Sequence, residues 1–487
     1  MERWYVMMKK ADFSSIGAKY NISPVIARLI RNRDIIEDEE INLYLNGTIA
    51  DLYDGMLMKD MDKAVEILSE KIREEKPVRV IGDYDIDGVN AAYILKEGLE
   101  GLGADVDTDI PDRIKDGYGL NKMLIDRALD DGIDTIITCD NGIAAAEEIT
   151  YGRKIVTDHH QVPFVEINKE REYLLPQADA VVDPRRPDCE YPFKNLCGAA
   201  VAYKLVEALY NVMLRDPEDV DYLMENVAIA TVGDVMALKG ENRIFVKQGL
   251  EMLKRTKNEG LKALIECTGI NPEYLNTYDL GFVLGPCINA SGRLDTAKRA
   301  LELLSTRTRR DAVMLAEDLK ALNDSRKEMT ERGIKEAAEM IETTSLKEDK
   351  VFVIYLPDCH ESIAGIIAGK IRDRYYRPTI ILTKAEDGVK GSGRSTEEYD
   401  MFTELCKCQA LFTKFGGHRQ AAGVSLKEEN VQRFRETINS LCTLTEEDLQ
   451  MKVYIDMQVP FPYLTEDLIE QFQVMEPFGK GNKRPLF

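Results

Sequence analysis

No stretch of this sequence stays apolar long enough to span a bilayer. Its opening residues, Met1-Glu2-Arg3-Trp4, lack the basic and apolar regions of a secretory signal. Together these absences exclude a membrane protein and predict a cytoplasmic location. There is no CxxC pair among nine scattered cysteines, and Cys406 and Cys408 stand too close together for a zinc knuckle. Reduced thiols are therefore expected. Positive balance is missing as well: 64 Lys and Arg against 86 Asp and Glu leave a formal charge of −22. That argues against coating nucleic acid by bulk electrostatics, although an enzyme needs only a locally positive groove. No internal repeat or low-complexity tract is found, so repeat arrays drop out. Histidine is scarce. The four (His159, His160, His360 and His418) fall in glycine- or aspartate-rich segments, and none lies on an amphipathic helix.

What is present reads as two or three ordinary globular domains, with 44% hydrophobic and 31% charged residues in 487. Residues 1–60 read as a helical lead-in whose best periodic piece is Pro24 to Ile30, and Met61 to Glu75 as an amphipathic helix. Strand-like runs then alternate with helical ones to about residue 240. Val78 to Gly82, Val106 to Ile110, Thr135 to Cys139, Ile155 to Thr157 and Ala180 to Val182 each end in polar or ionisable residues. An α/β fold with a doubly wound, mainly parallel sheet follows. Helices are expected over 90–102, 198–214 and 220–231. Residues 241–345 read as a helical connector, in which Arg307, Arg309, Arg310 and the run from Arg326 to Lys335 suggest long exposed helices. A smaller α/β unit covers 346–445, with glycine-rich turns at Gly391-Ser392-Gly393-Arg394-Ser395 and Gly416-Gly417-His418-Arg419, and a last piece covers 446–487.

The organising stretch is Asp83-Tyr84-Asp85-Ile86-Asp87-Gly88, three alternate carboxylates where a buried strand gives way to a helix. An EF-hand is excluded, because its twelfth loop position is Ile94 and a strand precedes it. A solvated acidic turn is the plain alternative for such a triplet alone. The rest of the chain decides against it, for Asp140, Asp158, His159, His160 and Asp234 gather at other strand or helix ends. Carboxylates so collected repel one another unless a cation holds them. Mixed carboxylate and imidazole donors suit Mn²⁺, or Mg²⁺ where carboxylates dominate. Their number suggests two ions about 3.5–4 Å apart, the arrangement used for in-line phosphoryl displacement.

In order and spacing, Asp83-x-Asp85-x-Asp87-Gly88, Thr138-Cys139-Asp140-Asn141-Gly142, Asp158-His159-His160 and Gly233-Asp234-Val235 resemble the motifs of the DHH phosphoesterase superfamily. Within it the chain is similar to the RecJ branch, single-strand-specific 5′→3′ DNA exonucleases. Ile110-Pro111-Asp112-Arg113, Gly117-Tyr118-Gly119-Leu120, Val182-Asp183-Pro184-Arg185, Gly240-Glu241-Asn242-Arg243, Asn289 to Leu294 and Ala421-Ala422-Gly423 strengthen the resemblance. So does Glu476 to Asn482, which is similar to the RecJ lead into an OB-fold. The resemblance implies a catalytic DHH domain over 61–240, a DHH-associated substrate-binding domain over 346–445 and the start of a truncated or missing OB-fold over 446–487.

It also implies roles. Asp83 and Asp85 would hold one metal, Asp140 would bridge, and Asp87, His159 and Asp234 would hold the other. Asp158 would orient its neighbouring histidine, and His160 would sit beside the scissile phosphate. Arg293, Ser392, Arg394, Gly416, Gly417 and His418 would grip the strand. Single-stranded DNA is the implied partner, with a single-strand-binding protein and a helicase by analogy, and a monomer acting in DNA repair and recombination is expected. The alternatives are a DHH hydrolase of oligoribonucleotides or small nucleotides, and a non-catalytic single-strand-binding relative, which would need lost ligands. Departures from the pattern (Ile81 for His, Asn90 for Thr, Cys287 for Arg, and the looser His360-Glu361-Ser362-Ile363-Ala364-Gly365) touch no implied metal ligand.

Overall fold

The computed structural model describes residues 2–112, 119–145, 153–167 and 170–487. The chain divides into two compact units, one of Met8–Asn323 with Asp456–Phe487, the other of Met1–Met7 with Asp324–Ile455.

In the larger unit five strands, Val78–Gly82, Val106–Asp109, Thr135–Cys139, Arg153–Thr157 and Ala180–Val182, form an all-parallel sheet. Counted along the chain, their spatial order is 2-1-3-4-5. The period-2 alternation of each strand sorts its side chains to two cores. Val80, Ile137, Ile155 and Val182 face a cluster built with helices Met61–Arg73, Ile86–Gly101 and Gly198–Val212. Ile81, Ile136, Val156 and Val181 face Leu124, Ile125 and Ala128 of helix Lys122–Asp130. Burial on both faces is why these strands read as unbroken β-branched runs. Ile81 is wholly buried in the second core. The strand order reverses between Val78–Gly82 and Thr135–Cys139, and the crevice at such a reversal is where doubly wound sheets place their ligands.

Helices Met224–Gly233, Gly240–Leu253, Glu259–Cys267 and Gly285–Leu294 complete this unit. So does an N-terminal helical group, Phe13–Tyr20, Pro24–Asn32 and Asp38–Asn46, closed by Met475. The carbonyls of Val474, Met475, Glu476 and Pro477 all accept from the buried Arg243 guanidinium. Residues 456–487 form helical turns at Phe461–Tyr463, Glu466–Gln471 and Phe472–Met475.

The smaller unit holds a mixed five-stranded sheet ordered Phe412–His418, Ala421–Leu426, Gly388–Arg394, Thr379–Ala385, Phe352–Tyr355. Helices Ala364–Tyr375 and Val431–Leu441 cover its two faces. The 35-residue helix Arg309–Thr343 gives its first part to the larger unit and its last part to this one.

Two local expectations fail. Residues 1–60 are not wholly helical, because Arg3–Val6 is a strand, paired in parallel with Lys452–Ile455. Four residues without alternation in burial are too few to register as a strand until their distant partner is known. Gly391 to Arg394 is not a turn but part of a strand bonded on both sides. Its glycines answer to packing: a side chain at Gly391 would lie 2.9 Å from the Ile381 carbonyl, and one at Gly393 would strike the Met401 sulfur. Gly416 to His418 likewise end a strand, in register with Ala421 to Gly423.

Candidate metal centre

Every acidic or histidine residue proposed as a ligand lies in the larger unit, at the carboxyl ends of its strands or at a helix end. Asp83 follows strand Val78–Gly82, and Asp85 caps helix Ile86–Gly101, its Oδ1 accepting from the amides of Asp87 at 2.9 Å and Gly88 at 3.1 Å. The cap ties the DxDG spacing to a turn. Gly88 is part of it, because a Cβ there would sit 2.6 Å from Asp83 Cα.

Asp87 is wholly buried, and its carboxylate receives the amides of Gly198 at 2.6 Å and Ala199 at 2.8 Å. These open helix Gly198–Val212, whose N-terminal dipole favours an anion. Gly198 makes the approach possible, since a Cβ would meet that of Asp140 at 2.6 Å. Asp140, at the end of Thr135–Cys139, has φ +60, a left-handed conformation that Asp tolerates better than most residues.

Three sets of donor atoms lie within 4.8 Å of one another: Asp83, Asp85 and Asp140; Asp87, His159 and Asp234; and Asp140, His159 and His160. His159 shows what they await. Its Nδ1 lies 2.9 Å from the Leu196 carbonyl, which can only accept, so Nδ1 carries the proton. Burial first, and the charge of His160 second, hold the His159 pKa down at about 3, so the ring is neutral and Nε2 is a bare lone pair. That nitrogen is buried without a hydrogen-bond partner, 3.0 Å from Asp140 Oδ1, which is equally buried and equally without one. Two acceptors so placed repel unless a cation lies between them and their neighbours. Burial, and then the charges of neighbouring aspartates, raise the carboxyls of Asp87 and Asp140 well above the usual range and that of Asp234 to about 6. A divalent cation removes this cost, and the residues present fit one.

Asp158 plays a different part. Its Oδ2 accepts the Ile143 amide, and its Oδ1 takes the amides of His159 and His160 and, at 2.8 Å, the His160 ring. The histidine it orients by the ring is His160, while the Leu196 carbonyl orients His159. Burial acts to lower the His160 pKa, but the Asp158 hydrogen bond and charge carry it up to about 9. The ring therefore stands half-exposed as an imidazolium.

Arg293 lies near the end of helix Gly285–Leu294, whose Asn289 accepts the Ile86 amide at 2.9 Å beside the acidic loop. In the smaller unit, Arg394 Nη1 donates to Ser392 Oγ at 3.1 Å, one strand away from the register pairs Gly416–Gly423, Gly417–Ala422 and His418–Ala421. The motif residues Arg113, Gly117 and Tyr118 lie outside the described residues. Asp183 and Arg185 carry no implied role in the motifs, although both follow strand Ala180–Val182 by the same strand-end rule. Burial raises the Asp183 carboxyl to about 8, and the Arg185 charge acts on His159 and Asp234.

The DHH family, N-terminal domain model matches residues 77–231, the DHHA1 domain model 348–444 and the RecJ OB domain model 455–487. A single-stranded-DNA-specific exonuclease RecJ of Bacillus subtilis is 36% identical over 493 residues, which cover 99% of this chain and 61% of the relative. The RecJ of Escherichia coli is 34% identical, covering 96% of this chain and 83% of its own. This chain thus spans about three fifths of the first relative's length and about four fifths of the second's. Among solved structures, RecJ from Thermus thermophilus in complex with Mn²⁺ superposes with a TM-score of 0.85 at 28% identity, over 100% of this chain and 69% of that one. Its complex with Mg²⁺ gives 0.79 at 27% identity, over 100% and 67%.

Proposed function

This chain belongs to the DHH family, in its RecJ branch, and from that premise we propose that it is a metal-dependent exonuclease that hydrolyses single-stranded DNA from the 5′ end. The observation that carries the reading is the pair of donor sets, Asp83/Asp85/Asp140 and Asp87/His159/Asp234, at the strand-order reversal. Mn²⁺ or Mg²⁺ would be the cofactor, two ions that Asp83, Asp85, Asp87, Asp140, His159 and Asp234 would hold. Bound there, they lower the pKa of water and offset charge on the phosphate oxygens. We assign the catalytic domain to residues 61–240, the connector to 241–345 and the substrate-binding domain to 346–445.

The remaining chemistry belongs to the side chains. Water attacks phosphorus and gives up a proton to solvent, and the bond to the leaving sugar oxygen breaks as that oxygen takes a proton from solvent. Asp158 fixes the His160 ring by Nδ1, which turns Nε2–H into a donor for a phosphate oxygen. Helix Gly198–Val212 holds the Asp87 carboxylate in one orientation, and the Leu196 carbonyl fixes the His159 tautomer, as partners outside a metal's own ligands commonly do. Arg293, Ser392, Arg394, Gly416, Gly417 and His418 bind the backbone of the strand. The setting we infer is DNA repair and recombination in the cytoplasm, by a monomer acting on strands that a helicase and a single-strand-binding protein present. Nine free cysteines accord with a reducing compartment, and among the described residues no helix is long and apolar enough to cross a membrane.

The test is degradation of a long single strand labelled at its 5′ or 3′ end, with Mn²⁺ or Mg²⁺, beside Asp140→Ala. Early release of the 5′ label as a mononucleotide, absent in the variant, is expected. An intact long strand with rapid hydrolysis of dinucleotides would move the protein to the small-substrate hydrolases, and binding without cleavage would sink both enzyme readings.

A further inference from the structure

In the larger unit, the stretch from Lys194 to Ala199 orients three groups in succession. The Lys194 carbonyl accepts from Arg185 Nε at 3.4 Å, and the Leu196 carbonyl from the His159 ring at 2.9 Å. The Gly198 and Ala199 amides donate to Asp87. Two of these groups are metal donors. The third is an arginine that belongs neither to the donor sets nor to the residues assigned to grip the strand.

The backbone fixes where Arg185 stands. Thr157 pairs with Val182, so Asp158 and Asp183 leave neighbouring strands side by side, and His160 and Arg185 each follow two residues later. Asp183 Oδ1 accepts the Arg185 amide at 2.7 Å, and the Asp183 carbonyl accepts the Arg186 amide at 3.2 Å, which sets the turn. Arg186 pins that turn to the fold: its guanidinium donates to Asp60, to the Val181 carbonyl and, through two nitrogens, to Asp188. The two arginines differ in what they have left to give. Arg186 is buried with all three nitrogens engaged. Arg185 is half-buried, and among the described residues its Nη1 and Nη2 have no hydrogen-bond partner and no carboxylate within ion-pairing distance. Its charge nevertheless acts on Asp183, His159 and Asp234. An arginine that pairs with none of the carboxylates around it gives folding little. A fixed positive charge there also opposes a divalent cation unless an anion comes between them.

We propose that Arg185 is a further catalytic residue, whose two free Nη groups clamp non-bridging oxygens of the phosphate under attack. The proposal rests on the exonuclease reading and adds to it a residue to which the motifs give no role. A guanidinium presents its donors as a planar fork that matches two phosphate oxygens, and the charge beside the metal donors supplies the anion's missing counterpart. Arg185 moves no proton. It stays charged throughout and offsets the negative charge that gathers on those oxygens as water adds to phosphorus. Held through Nε and a rigid turn, it needs no reorganisation when that charge develops.

The experiment compares Arg185→Ala and Arg185→Lys with wild type in three measurements: kcat and KM on a labelled single strand, Mn²⁺ affinity by calorimetry without DNA, and thermal melting. Arg185→Ala is expected to lower kcat about 10²- to 10³-fold, the loss on removing one donor to developing charge, while Mn²⁺ affinity and melting hold. Guanidinium added in solution should restore part of that rate, and none of the rate lost in Asp140→Ala. Arg185→Lys keeps the charge without the fork and should recover only part of kcat. Should the alanine variant melt early, the lysine variant decides, and full wild-type kcat in it then refutes the clamp. The proposal is overturned by an Arg185→Ala protein with wild-type kcat. It is equally overturned by a loss that guanidinium does not rescue or that a matching fall in Mn²⁺ affinity accounts for, which would make Arg185 a support of the metal donors. If wild-type protein cleaves no strand, the exonuclease reading fails alone, and the same comparison on bis(p-nitrophenyl) phosphate, a phosphodiester without a strand, decides this one. Wild-type protein inert on both would overturn both.

Discussion

Gly198→Ala adds one methyl group at the point where helix Gly198–Val212 meets the metal centre. The new Cβ would stand 2.6 Å from Asp140 Cβ and 3.0 Å from its Cα. Carbon atoms rest at about 3.5–4.0 Å, so one partner must move by about 1 Å. Either Asp140 swings away from Asp83 and Asp85 and from His159 and His160, or the helix retreats and takes its amides away from Asp87. Overpacking of this kind costs about 1–3 kcal/mol, and loss of hydrogen bonds to a charged group about 1.5–3 kcal/mol. A displacement of about 1 Å in a catalytic group can lower the rate about 10²-fold. We therefore expect kcat on a labelled single strand to fall about 100-fold at saturating metal, with a parallel loss of Mn²⁺ affinity seen by calorimetry and a melting temperature lowered by a few degrees. Gly198→Ala protein with wild-type kcat and Mn²⁺ affinity would refute the close-approach argument.

Asp85 both caps a helix and offers a ligand, and two substitutions separate these roles: Asp85→Asn should keep the melting temperature and lose metal affinity, whereas Asp85→Ala should also lose about 1 kcal/mol of stability in denaturant titrations. Chelation with EDTA should abolish cleavage and lower the melting temperature, and Mn²⁺ restored at a hundredfold over its Kd should return about 2.7 kcal/mol by linkage, with unchanged melting counting against a built site. His160 is raised in the folded state from 6.5 to about 9, so its pairing with Asp158 stabilises fully below pH 6.5 and is lost as pH rises towards 9. The metal-free protein should accordingly melt lower across that window, and Asp158→Asn should flatten the trend; equal slopes would contradict the pairing. Val235→Gly should relieve left-handed strain and raise stability by about 1 kcal/mol in thermal melts.

Much of this site could be read from the sequence because its donors are local to their strands. A β-branched run that ends in Asp, as at Val78–Gly82 before Asp83 or Thr135–Cys139 before Asp140, announces both the element and the atom it presents. What could not be read is supplied from far along the chain or by the backbone. The amides that hold Asp87 come from 111 residues away, the Asn289 side chain that meets Ile86 from 203, and the Leu196 group that sets the His159 tautomer is a carbonyl that any residue has. Glycine misled in the opposite sense. Gly391 and Gly393 have the composition of a turn, but two neighbouring strands and the Met401 side chain hold them extended.

Arg3 pairs with Lys452, 449 positions later, and the backbone passes between the two units at three places: after Met7, after Asn323 and after Ile455. On a ribosome moving at about 5–20 residues per second, the Arg3–Val6 strand waits roughly 20 to 90 s for its partner to be made. Throughout that interval a short run with Trp4 and Tyr5 among its four residues stands at the leading end of the nascent chain with its edge unfilled, open to chaperones and to pairing with the wrong strand. The same threading means that one proteolytic cut at any of the three passages leaves the two units joined through the other two for as long as each unit holds its own segments together. The smaller unit is thus begun first and finished late, and the metal-binding unit is made almost entirely in between.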